Sequence, residues 1–178
     1  MNMNHVKEGS TIMVGVISLL IMILVSYFFN TVKKYNDYGL FGITLICIIG
    51  NIYFLSPTAS LVSIIGGRFY NIFLVGLFAA IGCIVGEILT YNIGAATGEI
   101  ALKQENWYEP AKSYMIKNGF LTVFIITSIP NPFVNVSGLL AGSLKYNFWE
   151  FLVASFLGNW VQYTITAFIG RLTKKIKN

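Results

Sequence analysis

The stretch Ser128-Ile129-Pro130-Asn131-Pro132 interrupts an apolar segment, and it decides the fold because prolines break a straight helix. An earlier apolar segment is broken in the same way at Leu55-Ser56-Pro57-Thr58. A glycine-punctuated span follows each break in matching register. Each landmark of the second span lies 76 residues after its counterpart in the first: Gly142 after Gly66, Tyr146-Asn147 after Tyr70-Asn71, Gly158 after Gly82, and Gly170 after Gly94. Paired breaks in two halves are typical of an internal repeat that forms a membrane transport site.

The composition indicates a membrane protein. Hydrophobic residues make up 56% of the chain and charged residues only 11%, against about 25% charged in a soluble domain. Apolar segments fill nearly all of the 178 residues, so the chain forms one membrane domain without a separate catalytic domain. The net charge of +5 lies near the segment ends, where it sets topology rather than binding nucleic acid.

The apolar pattern divides this domain into four parts. Residues 10–30 form an N-terminal transmembrane helix, because an uncharged run of this length crosses the ~30 Å hydrocarbon core. Residues 39–97 form a first hairpin followed by a helix that begins at Ile72. Residues 119–171 form a second hairpin followed by a helix whose apolar run extends from Phe148 to Ile169. The polar residues 98–118, rich in Trp and Tyr, form an interfacial segment.

The two broken segments are expected to re-enter the membrane rather than cross it. Each arm is too short for a full crossing, and a backbone break at membrane depth is tolerated where it is buried or lines a watery cavity. A kinked full crossing is the alternative. With the basic C-terminal tail and Lys33-Lys34 in the cytoplasm, the hairpins enter from opposite sides. The predicted fold is therefore an all-α membrane protein: an inverted repeat of two re-entrant helical hairpins, each followed by a transmembrane helix, plus an N-terminal transmembrane helix.

Glu87 is the leading candidate for chemistry. It lies near the middle of its helix, and a carboxylate at that depth normally faces the bundle interior or water and marks a function. The alternative is a protonated acid that only hydrogen-bonds a neighbouring helix. Asn159, Gln162 and Tyr163 in the last helix present the same choice between function and packing.

Polar residues at the breaks are candidates for a lipid pathway. Broken helix ends can bind an anionic headgroup without arginine; alternatively, these side chains only satisfy the backbone of the turns. Arg68, at a helix end, either snorkels to phosphate or binds substrate. The pathway candidates are Ser128, Asn131 and Asn135 at the second break, Asn51 and Thr58 at the first, and Arg68.

Several prolines and glycines are interpreted as structural. The prolines make the breaks, and glycines allow close helix packing. The structural positions are Pro57, Pro130, Pro132, Gly82, Gly86, Gly94, Gly98, Gly142 and Gly158. Cys47 and Cys83 lie in apolar segments without metal-site spacing. Without a catalytic triad, a phosphate loop or a cysteine cluster in the sequence, we expect neither an enzyme nor a cofactor or metal.

The spacing from Gly82 onward resembles a known family. Gly82-x-x-x-Gly86-Glu87-x-x-x-Tyr91-x-x-Gly94-x-x-x-Gly98, together with Pro130-x-Pro132-x-x-Asn135, Ala141-Gly142, Phe148 and Gly158-x-Trp160, is similar to the signature of the DedA/VTT-domain superfamily, also called SNARE-associated Golgi proteins. The resemblance covers roughly residues 50–171. It implies an integral membrane protein with two facing re-entrant hairpins, linked to undecaprenyl-phosphate recycling, phospholipid scrambling or proton-dependent transport. A multi-pass protein of a prokaryotic plasma membrane, with a cytoplasmic C-terminus, is expected.

The departures from the bacterial pattern bear on the substrate. The bacterial family carries an acid beside the first hairpin's proline, where Pro57 is followed by Thr58, Ala59 and Ser60. It carries arginines at the positions that Thr127 and Phe133 occupy. Arginine clamps phosphate and carboxylates relay protons, so this chain resembles more closely the branch linked to phospholipid scrambling.

Three hypotheses follow for the function. The first is a lipid translocase or scramblase that moves phospholipid or polyprenyl-phosphate headgroups between leaflets. The second is a proton- or ion-coupled transporter of small solutes with Glu87 as the coupling group. The third is a membrane scaffold whose polar breaks only pack. Membrane lipids are the expected partners, nucleic acid is not, and the sequence leaves a homo-oligomer open.

Overall fold

A computed structural model describes residues 39–52, 57–98, 108–129 and 134–175, and within these ranges every regular element is an α-helix. The all-α prediction is thus confirmed for the described residues. The helices are α1 Gly39–Ile52, α2 Pro57–Gly67, α3 Ile72–Thr97, α4 Tyr108–Ser128, α5 Val134–Ser143 and α6 Phe148–Lys175.

The chain divides into two compact units, residues 1–39 and residues 40–178. The packing described below belongs to the second unit. The predicted N-terminal helix over residues 10–30 and the break at Pro130 and Pro132 lie outside the described residues.

Two long helices begin at asparagine caps. The Asn71 side chain accepts a hydrogen bond from the Phe73 backbone N–H at 2.9 Å, and Asn147 accepts one from Trp149 at the same distance. Asparagine is favoured at this position because its side-chain oxygen pairs an amide that the first helical turn leaves open. The caps fix the starts of α3 and α6.

Helix α3 lies against α1, α5 and α6, and glycines allow the close contacts. A Cβ on Gly82 would meet the Thr44 carbonyl of α1. A Cβ on Gly94 would overlap the Leu139 carbonyl of α5. Both obstacles are backbone atoms, which cannot rotate away, so only glycine fits. At both positions the contacts are those of close helix packing.

Helix α6 is packed in the same manner against α2, α3 and α4. A Cβ on Gly158 would meet the Phe124 carbonyl of α4. A Cβ on Gly170 would overlap the Ile64 carbonyl of α2. Small residues let helix backbones approach closely. Dispersion contacts can then hold the helices together in lipid, where the hydrophobic effect does not drive helix association.

Gly98 differs from these packing glycines. A Cβ there would meet nothing within 4 Å, and its φ is 65°. The Gly98 N–H donates to the Gly94 carbonyl at 2.9 Å. The expectation that Gly98 serves helix packing is therefore wrong: it ends α3 in the left-handed conformation that glycine adopts without strain.

Helix α4 joins two parts that the sequence separates. It runs from Tyr108 to Ser128 with non-helical backbone angles at Asn118, the residue at which the predicted interfacial segment ends. Tyr108 and Met115 are buried in an apolar cluster with Leu140 and Phe151. The first part of α4 therefore packs on the bundle and does not lie apart from it.

The bundle exposes many large apolar side chains and buries several polar ones beside its apolar core. Its exposed large hydrophobic residues include Phe41 and Ile49 of α1, Phe73, Ile81 and Leu89 of α3, and Val153, Val161 and Ile165 of α6. Its buried residues include Glu87, Thr90, Ser155, Asn159, Gln162 and Thr166. A protein folded in water has the opposite arrangement, whereas a hydrocarbon solvent favours this one.

Among the described residues, two helices are long and apolar enough to cross a membrane, namely Ile72–Thr97 and residues Phe148–Thr173 of α6. Length and composition alone are weak evidence, since a core helix of a soluble protein passes the same test. The exposed apolar side chains on both helices supply the second observation.

Candidate functional site

The candidate site lies where α3 crosses α6, and its central contact joins Glu87 to Asn159. Asn159 Nδ2 donates to Glu87 Oε1 at 2.7 Å. Both side chains are 0% exposed. The carboxyl group thus faces the bundle interior, where an ionisable group costs less than against hydrocarbon.

A second polar contact joins the same two helices one turn away. Cys83 Sγ donates to the Tyr163 hydroxyl oxygen at 3.1 Å. Moving four residues along α3, from Cys83 to Glu87, moves the contact four residues back along α6, from Tyr163 to Asn159. The two helices therefore run antiparallel where they cross. Cys83 thus has a polar partner in addition to its burial among apolar side chains.

One face of α6 carries a buried polar stripe. Ser155, Asn159, Gln162 and Thr166 follow one another at spacings of four, three and four residues, and all four are buried. Such spacing places side chains on one helix face. The Ser155 side chain lies beside the Glu87 carboxyl group, so this face meets α3 at its acid.

Several buried polar atoms at the site have no hydrogen-bond partner among the described residues. They are Asn51 Nδ2, Asn159 Oδ1 and Gln162 Oε1, together with Glu87 Oε2 and Ser155 Oγ, which belong to side chains close enough to pair with each other. Buried polar atoms are nearly always paired, and unpaired ones call for an explanation such as water, an ion or a ligand. This group of atoms distinguishes the crossing from ordinary helix packing.

One residue that flanks the first break reaches this site. Asn51, one residue before the end of α1, is buried, and a Cβ on Gly86 would contact its side chain. Thr58, in the first turn of α2, is buried against Gly50 of α1. Asn51 is thus brought beside the neighbour of the predicted acid, and Thr58 packs on the preceding turn of α1.

Two other predicted pathway residues have local partners. Ser128 Oγ donates to the Phe124 carbonyl at 2.6 Å, within its own helix. Arg68 is exposed and donates from Nη2 to Thr173 Oγ1 at 2.9 Å, at the end of α6. The Ser128 contact satisfies a backbone carbonyl of its own helix, as in the structural alternative, and the role of Arg68 stays a prediction. Asn131 and the side chain of Asn135 lie outside the described residues, so their roles stay predictions.

Sequence reasoning missed Ser155. Its spacing from Asn159, Gln162 and Thr166 in a helix that is otherwise apolar could have revealed it. Within the described residues, no three His, Cys, Asp or Glu side chains gather as a metal-binding group.

The turn before α6 carries a separate polar contact. The Tyr146 hydroxyl donates to Glu150 Oε2 at 2.5 Å. Burial, followed by the hydrogen bond and the charge of Glu150, raises the pKa of Tyr146 to about 12. The phenol is therefore neutral at physiological pH. Glu150 is exposed, which makes it a useful contrast with Glu87.

Comparison with known proteins places the chain in a family. A family model described as the VTT domain matches residues 56–172. MJ0201, an uncharacterized protein of Methanocaldococcus jannaschii, is 30% identical over 142 residues, which cover 77% of this chain and 85% of that protein.

A plant protein is similar to this chain over a much shorter stretch. Vacuole membrane protein KMS2 of Arabidopsis thaliana is 33% identical over 51 residues, 26% of this chain and 12% of that protein. No solved structure matches. Because the family model and the archaeal relative both cover most of the chain, it belongs to the VTT-domain (DedA) family of membrane proteins.

Proposed function

We propose that this protein moves lipid headgroups between the two leaflets of a membrane, passively or with weak coupling. The observation that carries the proposal is the group of buried, unpaired polar atoms around Glu87 and Asn159, inside a bundle whose surface is apolar. A headgroup crossing a membrane needs polar partners along its path while its acyl chains stay in lipid. A polar interior beside an apolar exterior meets both needs.

We further propose that the path lies between two re-entrant hairpins related by an inverted repeat. In support, α1 ends beside Gly86, near the middle of α3 rather than at its end, and α2 begins beside Gly50 of α1. The two contacts at the crossing also exchange under the 76-residue offset. Glu87 corresponds to Tyr163 and Cys83 to Asn159, so the Glu87–Asn159 pair corresponds to the Tyr163–Cys83 pair. Antiparallel helices related in this way suit an axis lying in the membrane plane.

The chemistry of the path favours broad headgroup selectivity. Thr127 stands where the bacterial family has an arginine, and its hydroxyl donates to the Val123 carbonyl of its own helix. Neutral hydrogen bonds contribute about 0.5–1.5 kcal/mol each, against about 1.5–3 kcal/mol when one partner is charged. We therefore place phospholipids ahead of a polyprenyl phosphate as substrates.

Transfer of fluorescent lipids between leaflets of liposomes, with and without a proton gradient, tests the proposal. Transfer that does not depend on the gradient supports it. Gradient-dependent transfer favours the second candidate, a proton- or ion-coupled transporter, for which the buried carboxyl group of Glu87 is the specific observation. No transfer under either condition favours a membrane scaffold.

The setting of this activity completes the proposal. We propose a multi-pass protein of a prokaryotic plasma membrane whose C-terminus, with Arg171 and the lysines after it, faces the cytoplasm. Membrane lipids are its partners, alone or with a second copy of the chain, and it catalyses no covalent reaction. Labelling of single cysteines placed at the C-terminus of the cysteine-free protein, in intact cells and in opened cells, tests the orientation.

A further inference from the structure

Helix α4 consists of two helical stretches that meet at Asn118. The backbone angles of Asn118, φ −148° and ψ 67°, lie far from helical values. Hinges in proteins are formed by a few residues at the ends of elements, which absorb changes in φ and ψ. Residues 108–117 are joined to the rest of α4 through one such residue, so a rotation there would move them as a body.

The side chain of Tyr146 packs against this joint from the turn before α6. A Cβ on Gly119 would overlap the Tyr146 ring. The Tyr146 hydroxyl donates to Glu150 Oε2 at 2.5 Å, and it accepts a hydrogen bond from the Phe120 backbone. Phe120 lies in the first turn after Asn118, where amides lack partners within their own helical stretch. The hydroxyl therefore links the start of α6 to the joint.

Residues 108–117 contact the bundle through a narrow face. Their buried side chains are Tyr108 and Met115, and Ala111 is partly buried against the same apolar cluster. On the opposite face, Tyr114 is 67% exposed and Ile116 is 71% exposed. Segments with few buried apolar contacts open at a lower free energy than the rest of a fold.

The apolar cluster that receives this segment lies next to the polar crossing of α3 and α6. Phe151 is fully buried in the cluster, and Ser155 follows it by one turn of α6. On α3, the Tyr91 ring packs on the Phe151 ring with centroids 5.3 Å apart, and Glu87 precedes Tyr91 by one turn. The two rings thus lie one helical turn from the polar side chains, on the side of residues 108–117.

We propose that residues 108–117 form a lid that closes one end of the crossing of α3 and α6 and opens by rotation at Asn118. The hydroxyl of Tyr146 holds the lid closed through its two hydrogen bonds. In the open state the lid lies at the membrane–water boundary, which suits the exposed ring of Tyr114. The role of the lid in headgroup entry rests on the proposed function, whereas its motion can be measured without lipid transfer.

Distances between nitroxide spin labels test the motion. The cysteine-free protein in liposomes carries one label at Tyr114→Cys, on the lid, and one at Trp149→Cys, near the start of α6; both positions are exposed. We expect a closed distance and a second, longer one. Labels at Trp149→Cys and Phe168→Cys, both on α6, are the control and should give a single distance of about 30 Å.

Removing the Tyr146 hydroxyl should open the lid. Tyr146→Phe keeps the ring against Gly119 and loses both hydrogen bonds, so we expect the ratio of open to closed populations to rise about 3–10-fold. Glu150→Gln keeps an acceptor for the hydroxyl but loses the charge, and it should raise the ratio less. Tyr70→Phe makes the same change at the corresponding residue of the first half and should leave the ratio unchanged.

Lipid transfer should rise in Tyr146→Phe by a factor similar to that of the population ratio. The closed distance alone in both the unaltered protein and Tyr146→Phe, or an equal rise of the ratio in Tyr70→Phe, would overturn the lid. A rise in the open population with unchanged transfer would overturn its role in headgroup entry. Two populations in a protein that transfers no lipid would count against the proposed function and leave the lid standing.

Discussion

Residues 39–97 and residues 108–175 build similar frames around different chemistry. In each half, a glycine of the long helix packs against the first helix of that half. Gly82 of α3 meets the Thr44 carbonyl of α1, and Gly158 of α6 meets the Phe124 carbonyl of α4. The long helix of each half also receives the short helix of the other half. Gly94 meets Leu139 of α5, and Gly170 meets Ile64 of α2.

The side chains at the crossing do not follow this correspondence. Glu87 of α3 corresponds to Tyr163 of α6, and Cys83 corresponds to Asn159. Backbone contacts demand a small residue at fixed places in both halves, because a carbonyl group cannot move aside. The crossing imposes no such demand, so each half carries different polar groups there. The glycine contacts, which we call the frame, therefore match between the two halves, whereas the polar side chains at the crossing differ.

Leucine at a glycine of the frame should have the largest effect. In Gly94→Leu the new side chain overlaps the Leu139 backbone, and overpacking of this kind costs about 3 kcal/mol or more. We expect the unfolding midpoint in detergent to fall by about 6–12 °C, and Gly170→Leu in the other half to match it. Ala96→Leu, on an exposed position two residues away, is the control. An unchanged midpoint in either glycine variant would contradict the duplicated frame.

Glu87→Gln should have the next largest effect, on transport and not on folding. Glutamine still accepts the hydrogen bond from Asn159 but loses the charge, so we expect lipid transfer to slow about tenfold with the protein still folded. Tyr163→Phe changes the corresponding position of the other half and should slow transfer less than twofold. Equal slowing of lipid transfer by both variants would contradict a difference between the two halves at the crossing. Unchanged transfer in Glu87→Gln would indicate that Glu87 serves only in packing.

Asn135→Ala should reduce lipid transfer by about 2–10-fold, the loss expected for one neutral hydrogen bond. Asn51→Ala tests the first hairpin in the same way. Because neutral groups discriminate weakly, the reduction should be similar for several phospholipid headgroups, measured one at a time. A strong preference for undecaprenyl phosphate would contradict this and indicate that charge reaches the path from elsewhere, with Arg68 the first residue to test.

Removing the helix caps should have the smallest effect. Asn71→Ala and Asn147→Ala each remove a side-chain acceptor from the start of a long helix, at a cost of about 1 kcal/mol. Thermal unfolding should show a fall of about 2–4 °C for each. The Asn147 side chain also accepts a hydrogen bond from the Glu150 backbone N–H at 3.3 Å. We therefore expect a slightly larger fall in the unfolding midpoint for Asn147→Ala than for Asn71→Ala.

The starts of the long helices could be predicted, and their ends less well. Apolar runs predicted helices beginning at Ile72 and Phe148, where α3 and α6 begin. Helix α6 extends to Lys175, whereas the apolar run stops at Ile169. The end of an apolar run marks where the hydrocarbon core of the membrane ends. The helix itself can continue into water, because basic side chains stabilise the partial negative charge at its C-terminus. Within α4, the non-helical backbone angles at Asn118 fall where the predicted polar segment ends and the apolar segment begins.

The members of the site could be predicted singly, but their arrangement could not. Glu87, Asn159 and Gln162 were candidates because polar residues are costly in apolar helices. No local pattern tells which faces of α3 and α6 meet, so the pairing of Glu87 with Asn159 could not be read from the chain. Ser155 and Cys83 acquire their polar neighbours only through that crossing.

The sequence by itself determined that the protein lies in a membrane, where its long helices begin, and that glycines recur at paired positions in its two halves. These follow from composition, from proline and glycine chemistry and from spacing, which act within a few residues of the chain. Only the tertiary structure decided that α1 ends beside Gly86 and that Glu87 meets Asn159. Contacts between residues about 72 positions apart depend on how whole helices pack, and packing is a property of surfaces that no single segment contains.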